Sequence, residues 1–180
     1  LECAQGNAKL LIAILAYTGM RLSEALFLEW SDIDLENETI TIKLKPEQGF
    51  RTKAGKGRVI PIAPELKEIL SAIPDKTGWV FKKSNGKRIT TLRTGFEKAC
   101  KKAGLEGVSP HCLRHSFASL MIASGTDART LADILGHSTP VITLQIYSHS
   151  FDQIKKQAIR RLPSFGTPSQ IIQFPGEKRG

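Results

Sequence analysis

Apolar positions recur along this chain with two different periods. From Asn7 to Tyr17 nearly every position is apolar, as in a helix buried on all sides. Thr18-Gly19 supplies the usual stop. Leu22, Ala25, Leu26 and Leu28 continue an apolar face on a second helix, which the pattern carries to about Trp30. Ser31-Asp32-Ile33-Asp34 reads as a turn. Thr39 to Leu44 then alternates as a half-buried strand. Its partner is Arg58-Val59-Ile60-Pro61-Ile62, where the proline predicts an edge position. Pro64 to Ala72 predicts a short helix with proline in its first turn, and Trp79-Val80-Phe81 a third strand closed at Ser84-Asn85-Gly86.

From Thr90 onward the period is helical. The pattern predicts helices over Thr91 to Ala103, Pro110 to Ser124, Asp127 to Leu135, Pro140 to Tyr147 and Phe151 to Arg161. Ser109-Pro110 and Thr139-Pro140 each set a hydroxyl cap before a first-turn proline, while Gly104, Gly125 and Gly136 mark stops. The expected fold class is mainly α with a small antiparallel β-sheet (α+β), one domain over residues 1–162. Residues 163–180, rich in Pro, Gly and Ser, read as a mobile tail.

Composition narrows the class. A chain of 180 residues can bury roughly 70% of its extended surface, so neither disulfides nor metals are needed for a core. With 41% hydrophobic and 24% charged residues the chain is not disordered in bulk. The longest apolar run, Leu10 to Tyr17, falls short of the ~20 residues of a membrane helix. Leu1-Glu2-Cys3 opens no secretory signal. Cys3, Cys100 and Cys112 are an odd set without a CxxC pair, as expected of reduced thiols in a cytoplasm. The chain does not begin with Met, and we expect a segment of a longer protein.

Charge changes the picture more. Lys and Arg number 26 against 17 Asp and Glu, a net charge of +9. Such an excess favours a polyanionic partner, most commonly nucleic acid. Arg51, Lys53, Lys56 and Arg58 cluster around Gly55 and Gly57; Lys82, Lys83, Lys87 and Arg88 surround Asn85-Gly86; Lys98, Lys101 and Lys102 follow. These three clusters read as a phosphate-tracking surface.

The chemistry is first bounded by what is missing. His111 and His115 have i,i+4 spacing that can bind zinc, but Cys112 stands where a zinc protease motif has Glu. The carboxylates are scattered, unlike those of a two-metal nuclease. No G-x-S-x-G occurs, Ser116 diverges from His115 on a helix, and Cys112 reads as a core residue. Tyr17 and Tyr147 are the only tyrosines; Tyr17 ends an apolar helix and is expected to pack.

The arginines and histidines carry the positive signal. Arg21 stands at a helix start with Glu24 three residues on, and Arg114 shares a helix face with His111. The same helix carries Leu113, Phe117, Leu120 and Met121, so its polar residues need partners or a ligand. His137 follows Leu135-Gly136, ten residues before Tyr147.

Thr18-Gly19-Met20-Arg21-Leu22-Ser23-Glu24, Thr52-Lys53, His111-Cys112-Leu113-Arg114-His115, Leu135-Gly136-His137 and Tyr147 occur in that order between Asn7 and His149. Together they resemble the catalytic domain of the tyrosine recombinases, or phage integrase family. The resemblance implies a metal-independent DNA strand-transferase without cofactor. Tyr147 would attack the scissile phosphate to give a 3′-phosphotyrosyl link. Arg21 and Arg114 would clamp the non-bridging oxygens. Lys53 would protonate the leaving 5′-oxygen; Lys56 is the nearest alternative and Lys45 a third. His111 would assist proton transfer at the nucleophile, His137 would donate to the phosphate, and Glu24 and His115 would support from behind.

Physical chemistry agrees with that division. Negative charge gathers on two oxygens in a pentacoordinate phosphorane, and guanidinium forks match that geometry. A phenol of pKa about 10 needs a cationic field and a base to attack. An alkoxide needs an acid to leave.

The resemblance further implies double-stranded DNA as partner, contacted by Arg51, Lys56, Arg58, Lys82, Lys83, Lys87 and Arg88. Other protomers would join in a synaptic tetramer, an accessory DNA-bending protein could assist, and no membrane is involved. The enzyme would be cytoplasmic, nucleoid-associated when on DNA. The family's N-terminal core-binding domain is absent from this chain, so weak DNA binding and slow reaction are expected of it alone. Residues 163–180 resemble segments that dock on a neighbouring protomer. Integration or excision of a mobile element is the leading role. Xer-type chromosome-dimer resolution, a topoisomerase-like reaction and a catalytically idle DNA-binding module are the alternatives.

Overall fold

The computed structural model describes residues 1–160 and 162; the tail expected over 163–180 lies outside the described residues. Helix α1 (Gly6–Thr18) is the spine of the domain, with Leu10, Leu11, Ala13, Ile14 and Leu15 buried. It ends because Gly19 takes a left-handed φ of 61° and its N–H turns back to the Leu15 carbonyl at 3.0 Å. Glycine is needed there twice over, since a Cβ would stand 2.3 Å from Cδ1 of Phe117. That tight passage delivers Arg21 to the start of α2 (Leu22–Leu26).

Helix α2 is shorter than its apolar period predicts. Beyond Leu26 the backbone leaves the helix for tertiary partners: Val80 N–H donates to the Leu28 carbonyl, and Trp30 N–H donates to that of Gly78. Trp79 therefore forms an isolated bridge with Glu29 and contributes no strand to the sheet. The third strand is the segment the sequence presents as a turn, β1 (Ile33–Asp34), beside β2 (Thr39–Ile42) and β3 (Arg58–Pro61). The sheet is antiparallel in the order β1-β2-β3, with Ile40 opposite Ile60. Alternation buries Ile40, Ile42 and Ile60 on one face, and Pro61 lies on the edge strand as its missing donor requires.

Helix α3 (Pro64–Ser71) packs Leu66 and Leu70 against α1. The second half is α4 (Arg93–Lys102), α5 (Pro110–Ala123), α6 (Ala128–Leu135), α7 (Pro140–Ile146) and α8 (Ser148–Arg160). Tyr17, as expected, packs on the main core formed by α1, the sheet and α3. Ala118, Ile122, Leu131, Leu135 and Tyr147 form a second, smaller core. Two apolar expectations fail on α5: Leu120 is 70% exposed and Cys112 is exposed. The buried face of that helix runs through Arg114, Ala118 and Ile122, a narrower stripe than its composition suggests. No helix of the described residues is long and apolar enough to cross a membrane.

Lys45 is locked into the fold. Its Nζ donates to Asp32 Oδ2 at 2.6 Å, Glu29 Oε2 at 2.8 Å and the Phe27 carbonyl at 2.9 Å. Burial works against the Asp32 charge, but these hydrogen bonds overcome it and hold its pKa below the ordinary carboxylate value.

Candidate active site

Arg114 sits at the centre of the site and is 3% exposed. Its Nη1 donates to the Gly19 carbonyl at 2.7 Å and its Nη2 to the Leu135 carbonyl at 2.8 Å. One side chain of α5 thus closes the C-terminal ends of α1 and α6, where orphan carbonyls need donors. Its Nη2 also lies 3.1 Å from His137 Nε2. Guanidinium has no acceptor, so Nε2 accepts and the ring proton sits on Nδ1. Nδ1 is 2.8 Å from Thr143 Oγ1, to which it donates. Burial first, and then the charges of Arg114 and Arg21, push His137 down to about 4, so the ring is neutral at pH 7. Both ring nitrogens are engaged here, and His137 braces Arg114.

Five predicted residues converge on one cleft of about 290 Å³: Arg21, Lys53, His111, Arg114 and His137 line it, with Gly136, Ser138, Ile142 and Ile146. Lys53 arrives there on a tight turn in which Gly55 N–H donates to the Thr52 carbonyl at 3.0 Å, with the Thr52 hydroxyl bonded to the Lys56 carbonyl. Lys56 faces a neighbouring hollow with Gly57, Arg58 and Asp133. His111 is pushed below its ordinary pKa by burial and by the nearby His115, Arg114, Arg21 and Lys53. The Arg114 pKa is lowered to about 10 by burial and by Arg21. Arg21, Lys53 and Arg114 around one small hollow, against the single buried carboxylate of Glu24, favour an anion there. Among the described residues, no group of three or more His, Cys, Asp or Glu side chains could hold a metal ion.

Tyr147 is placed differently. It caps the C-terminus of α7, is 6% exposed and packs within the second core. Burial raises its pKa, and the charge of Arg114 opposes that shift. Its hydroxyl lies 3.2 Å from Nδ1 of His115, while the cleft lining holds its neighbour Ile146. His111 stands one turn away, ring to ring with His115 at 4.6 Å. The family resemblance implies His111 at the phenol and His115 in a supporting place; in this structure it is His115 whose ring nitrogen lies within 3.2 Å of the hydroxyl.

The basic surface is only partly free. Arg51, Lys56, Lys83 and Lys87 are exposed. Lys82 donates to the Thr77 carbonyl and pairs with Asp75 at 2.7 Å. Arg88 stacks 3.7 Å over the Phe27 ring. Arg58, expected on the DNA-facing surface, turns inward: its Nη1 and Nη2 fork onto Glu24 at 2.9 and 2.7 Å. The buried carboxylate demands a cation, and Arg58 is the nearest that can fork onto it.

The sequence and the fold match those of known proteins. The sequence model of the phage integrase family matches residues 2–154, and the chain belongs to that family. The tyrosine recombinase XerC of Pediococcus pentosaceus is 34% identical over 179 residues, covering 88% of this chain and 56% of the relative. The tyrosine recombinase XerA of Pyrococcus furiosus is 33% identical over 162 residues, covering 85% and 54%. The chain thus spans about half the length of these relatives. Among solved structures, the Tn1549 transposon integrase in complex with transposon right end DNA superposes with TM-score 0.65 at 26% identity, over 83% of this chain and 57% of that one. The catalytic domain of bacteriophage HP1 integrase superposes with TM-score 0.61 at 30% identity, over 89% and 84%.

Proposed function

We propose that this chain is the catalytic domain of a site-specific DNA recombinase that cleaves and rejoins double-stranded DNA through a 3′-phosphotyrosyl intermediate. One observation carries it: Arg21, Lys53, His111, Arg114 and His137 line a single cleft, and Tyr147, which follows the lining residue Ile146, has its hydroxyl on the His115 imidazole. Arg21 and Arg114 take the non-bridging oxygens of a phosphodiester. Among the described residues, Arg114 spends both Nη2 protons and one Nη1 proton on Leu135, His137 and Gly19, which leaves Nε–H and one Nη1–H as two separate donors. Tyr147 gives its proton to His115, and its oxygen then forms the new bond to phosphorus. The P–O5′ bond breaks, and Lys53 protonates the departing oxygen. Because Tyr147 is packed in the second core, the α7–α8 junction turns it toward the cleft before attack.

The solved complex of a transposon integrase with DNA supports the duplex partner, and a synaptic tetramer of protomers follows from exchange between two sites. Integration or excision of a mobile element is the role we favour; the Xer names of the relatives favour chromosome-dimer resolution as the second reading. The test is strand exchange between two duplexes with differently labelled flanks, drawn from a pool selected for binding. Hybrid strands on a denaturing gel are expected. Relaxation of supercoiled plasmid without hybrids would replace the proposal with a topoisomerase-like one.

A further inference from the structure

Glu24 is a carboxylate shut away from water, with its side chain 1% exposed, beside the cleft-lining Arg21. Its two oxygens are unequally shared. Arg58 forks onto both, Nη1 to Oε1 at 2.9 Å and Nη2 to Oε2 at 2.7 Å. The Arg21 backbone N–H donates to Oε2 at 2.8 Å, but the Arg21 guanidinium makes a single long contact, Nη1 to Oε1 at 3.3 Å. The Arg21 side chain keeps 24% exposure and lines the cleft, whereas that of Arg58 is 9% exposed. Burial opposes the Glu24 charge, and the Arg58 hydrogen bonds and charge overcome it, with a smaller share from Arg21.

The third arm of Arg58 reaches elsewhere. Its Nε donates to the Ile134 carbonyl at 2.7 Å, and a Cβ on Gly136, whose φ is 68°, would stand 2.7 Å from Arg58 Nη1. Glycine is thus required where α6 ends, and the guanidinium lies directly under the turn that presents His137. Arg58 also opens β3, the strand that follows the Lys53 turn. One side chain ties together the three segments that bring Arg21, Lys53 and His137 to the cleft.

We propose that Arg58 is a positioning residue: by neutralising Glu24 it leaves the Arg21 guanidinium free to face the cleft and receive phosphate. The inference rests on Arg21 as a phosphate clamp in the function proposed above. Without Arg58, Glu24 would hold one remaining cation close by, and Arg21 would swing back onto it. A buried charge that loses its partner is costly, whereas removing both partners together is close to neutral. The sign of the second mutation is therefore diagnostic.

The experiment compares the wild-type chain with Arg58→Met, Arg58→Lys and the double variant Arg58→Met with Glu24→Gln. Phenylglyoxal, which modifies unpaired guanidinium groups, is the probe, and the rate at Arg21 is read by peptide mass mapping. Arg58→Met is expected to slow Arg21 modification by about tenfold, the protection of a charge-assisted hydrogen bond. The double variant should return it to within about twofold of wild type, as expected of two coupled residues. Arg58→Lys keeps the charge but cannot reach both carboxylate oxygens and the Ile134 carbonyl at once, so it should fall between; with the double variant it decides the matter if Arg58→Met does not fold. Equal Arg21 rates in all folded variants would overturn the proposal. Covalent trapping on nicked DNA, run in parallel, separates the two claims. An adduct on Tyr147 with unchanged Arg21 rates sinks the role of Arg58 alone. The predicted Arg21 pattern without any wild-type adduct sinks the catalytic reading and leaves the hold on Arg21 standing.

Discussion

The hydroxyl of Tyr147 and Nδ1 of His115 stand 3.2 Å apart, where a phenol packed against Ala118, Ile122, Leu131 and Leu135 meets an exposed imidazole. That imidazole is the polar partner of a phenol which burial makes harder to ionise. The pair therefore couples the two things the proposed reaction needs from Tyr147, release from an apolar pocket and loss of a proton.

Removing the partner should show it. His115→Ala is expected to lower the single-turnover cleavage rate by about 10²–10⁴, the usual worth of a positioned acid or base. DNA affinity should change little. A filter-binding assay beside the cleavage time course checks both. A larger loss from His111→Ala with His115→Ala silent would return the phenol to His111.

Lys53 and its neighbour are separable by leaving-group chemistry. On an ordinary phosphodiester, Lys53→Ala should slow cleavage while Lys56→Ala should not, since Lys53 lines the cleft and Lys56 an adjoining hollow. On a substrate whose 5′-bridging oxygen is replaced by sulfur, the leaving thiolate needs no acid. The Lys53→Ala defect should then largely vanish, and the His115→Ala defect should remain.

His137 gives the fold a defined response to acid. Its folded pKa of about 4 lies below the ordinary 6.5, so the unfolded chain binds more protons between those values. Stability from this group is complete above pH 6.5 and is lost as pH falls toward 4. Ring resonances followed by NMR should show His137 neutral down to about 4. Thr143→Val, which removes the acceptor for Nδ1–H, should destabilise the domain at pH 7 by about 1–3 kcal/mol.

A second network acts far from the cleft. Lys45→Met takes the central cation from Asp32 and Glu29 but leaves Lys43 3.1 Å from Asp32, and should cost about 1–3 kcal/mol in urea unfolding at pH 7. The pKa of Asp32 is lowered in the fold, so its contribution is present above the ordinary carboxylate range and lost as pH falls below it. The penalty of Lys45→Met should accordingly shrink near pH 3.

Much of this was legible in the residues, for reasons that differ by element. The all-apolar period of Asn7 to Tyr17 has one physical solution, a buried helix, and α1 spans Gly6–Thr18. Ser109-Pro110 and Thr139-Pro140 mark helix starts that the backbone obeys at α5 and α7. Ile33 and Asp34 were opaque because two residues carry no period; their strand exists only through pairing with Ile40 and Thr39. Trp79 to Phe81 looks like a strand, yet its backbone bonds go to the segment after α2, a tertiary choice that no local pattern encodes. Within the cleft, residue types and order announced Arg21, Arg114 and His137. Spacing along α5 could not say which histidine meets Tyr147, because that depends on how α7 and α8 lie against it. Nor could charge say that Arg58 faces inward; Glu24 beside the apolar Ala25 and Leu26 was the only clue, and it names no partner.

The central claim is that Tyr147 becomes joined to DNA, and covalent trapping tests it most directly. Nicked duplexes that lose a short fragment after cleavage stall the intermediate, and peptide mapping after a denaturing gel locates the link. The account predicts an adduct in which Tyr147 carries the 3′-phosphate and the released fragment a free 5′-hydroxyl, absent from Tyr147→Phe. An adduct at Tyr17, a link through a 5′-phosphate, or no adduct on DNA that both proteins bind equally would contradict it.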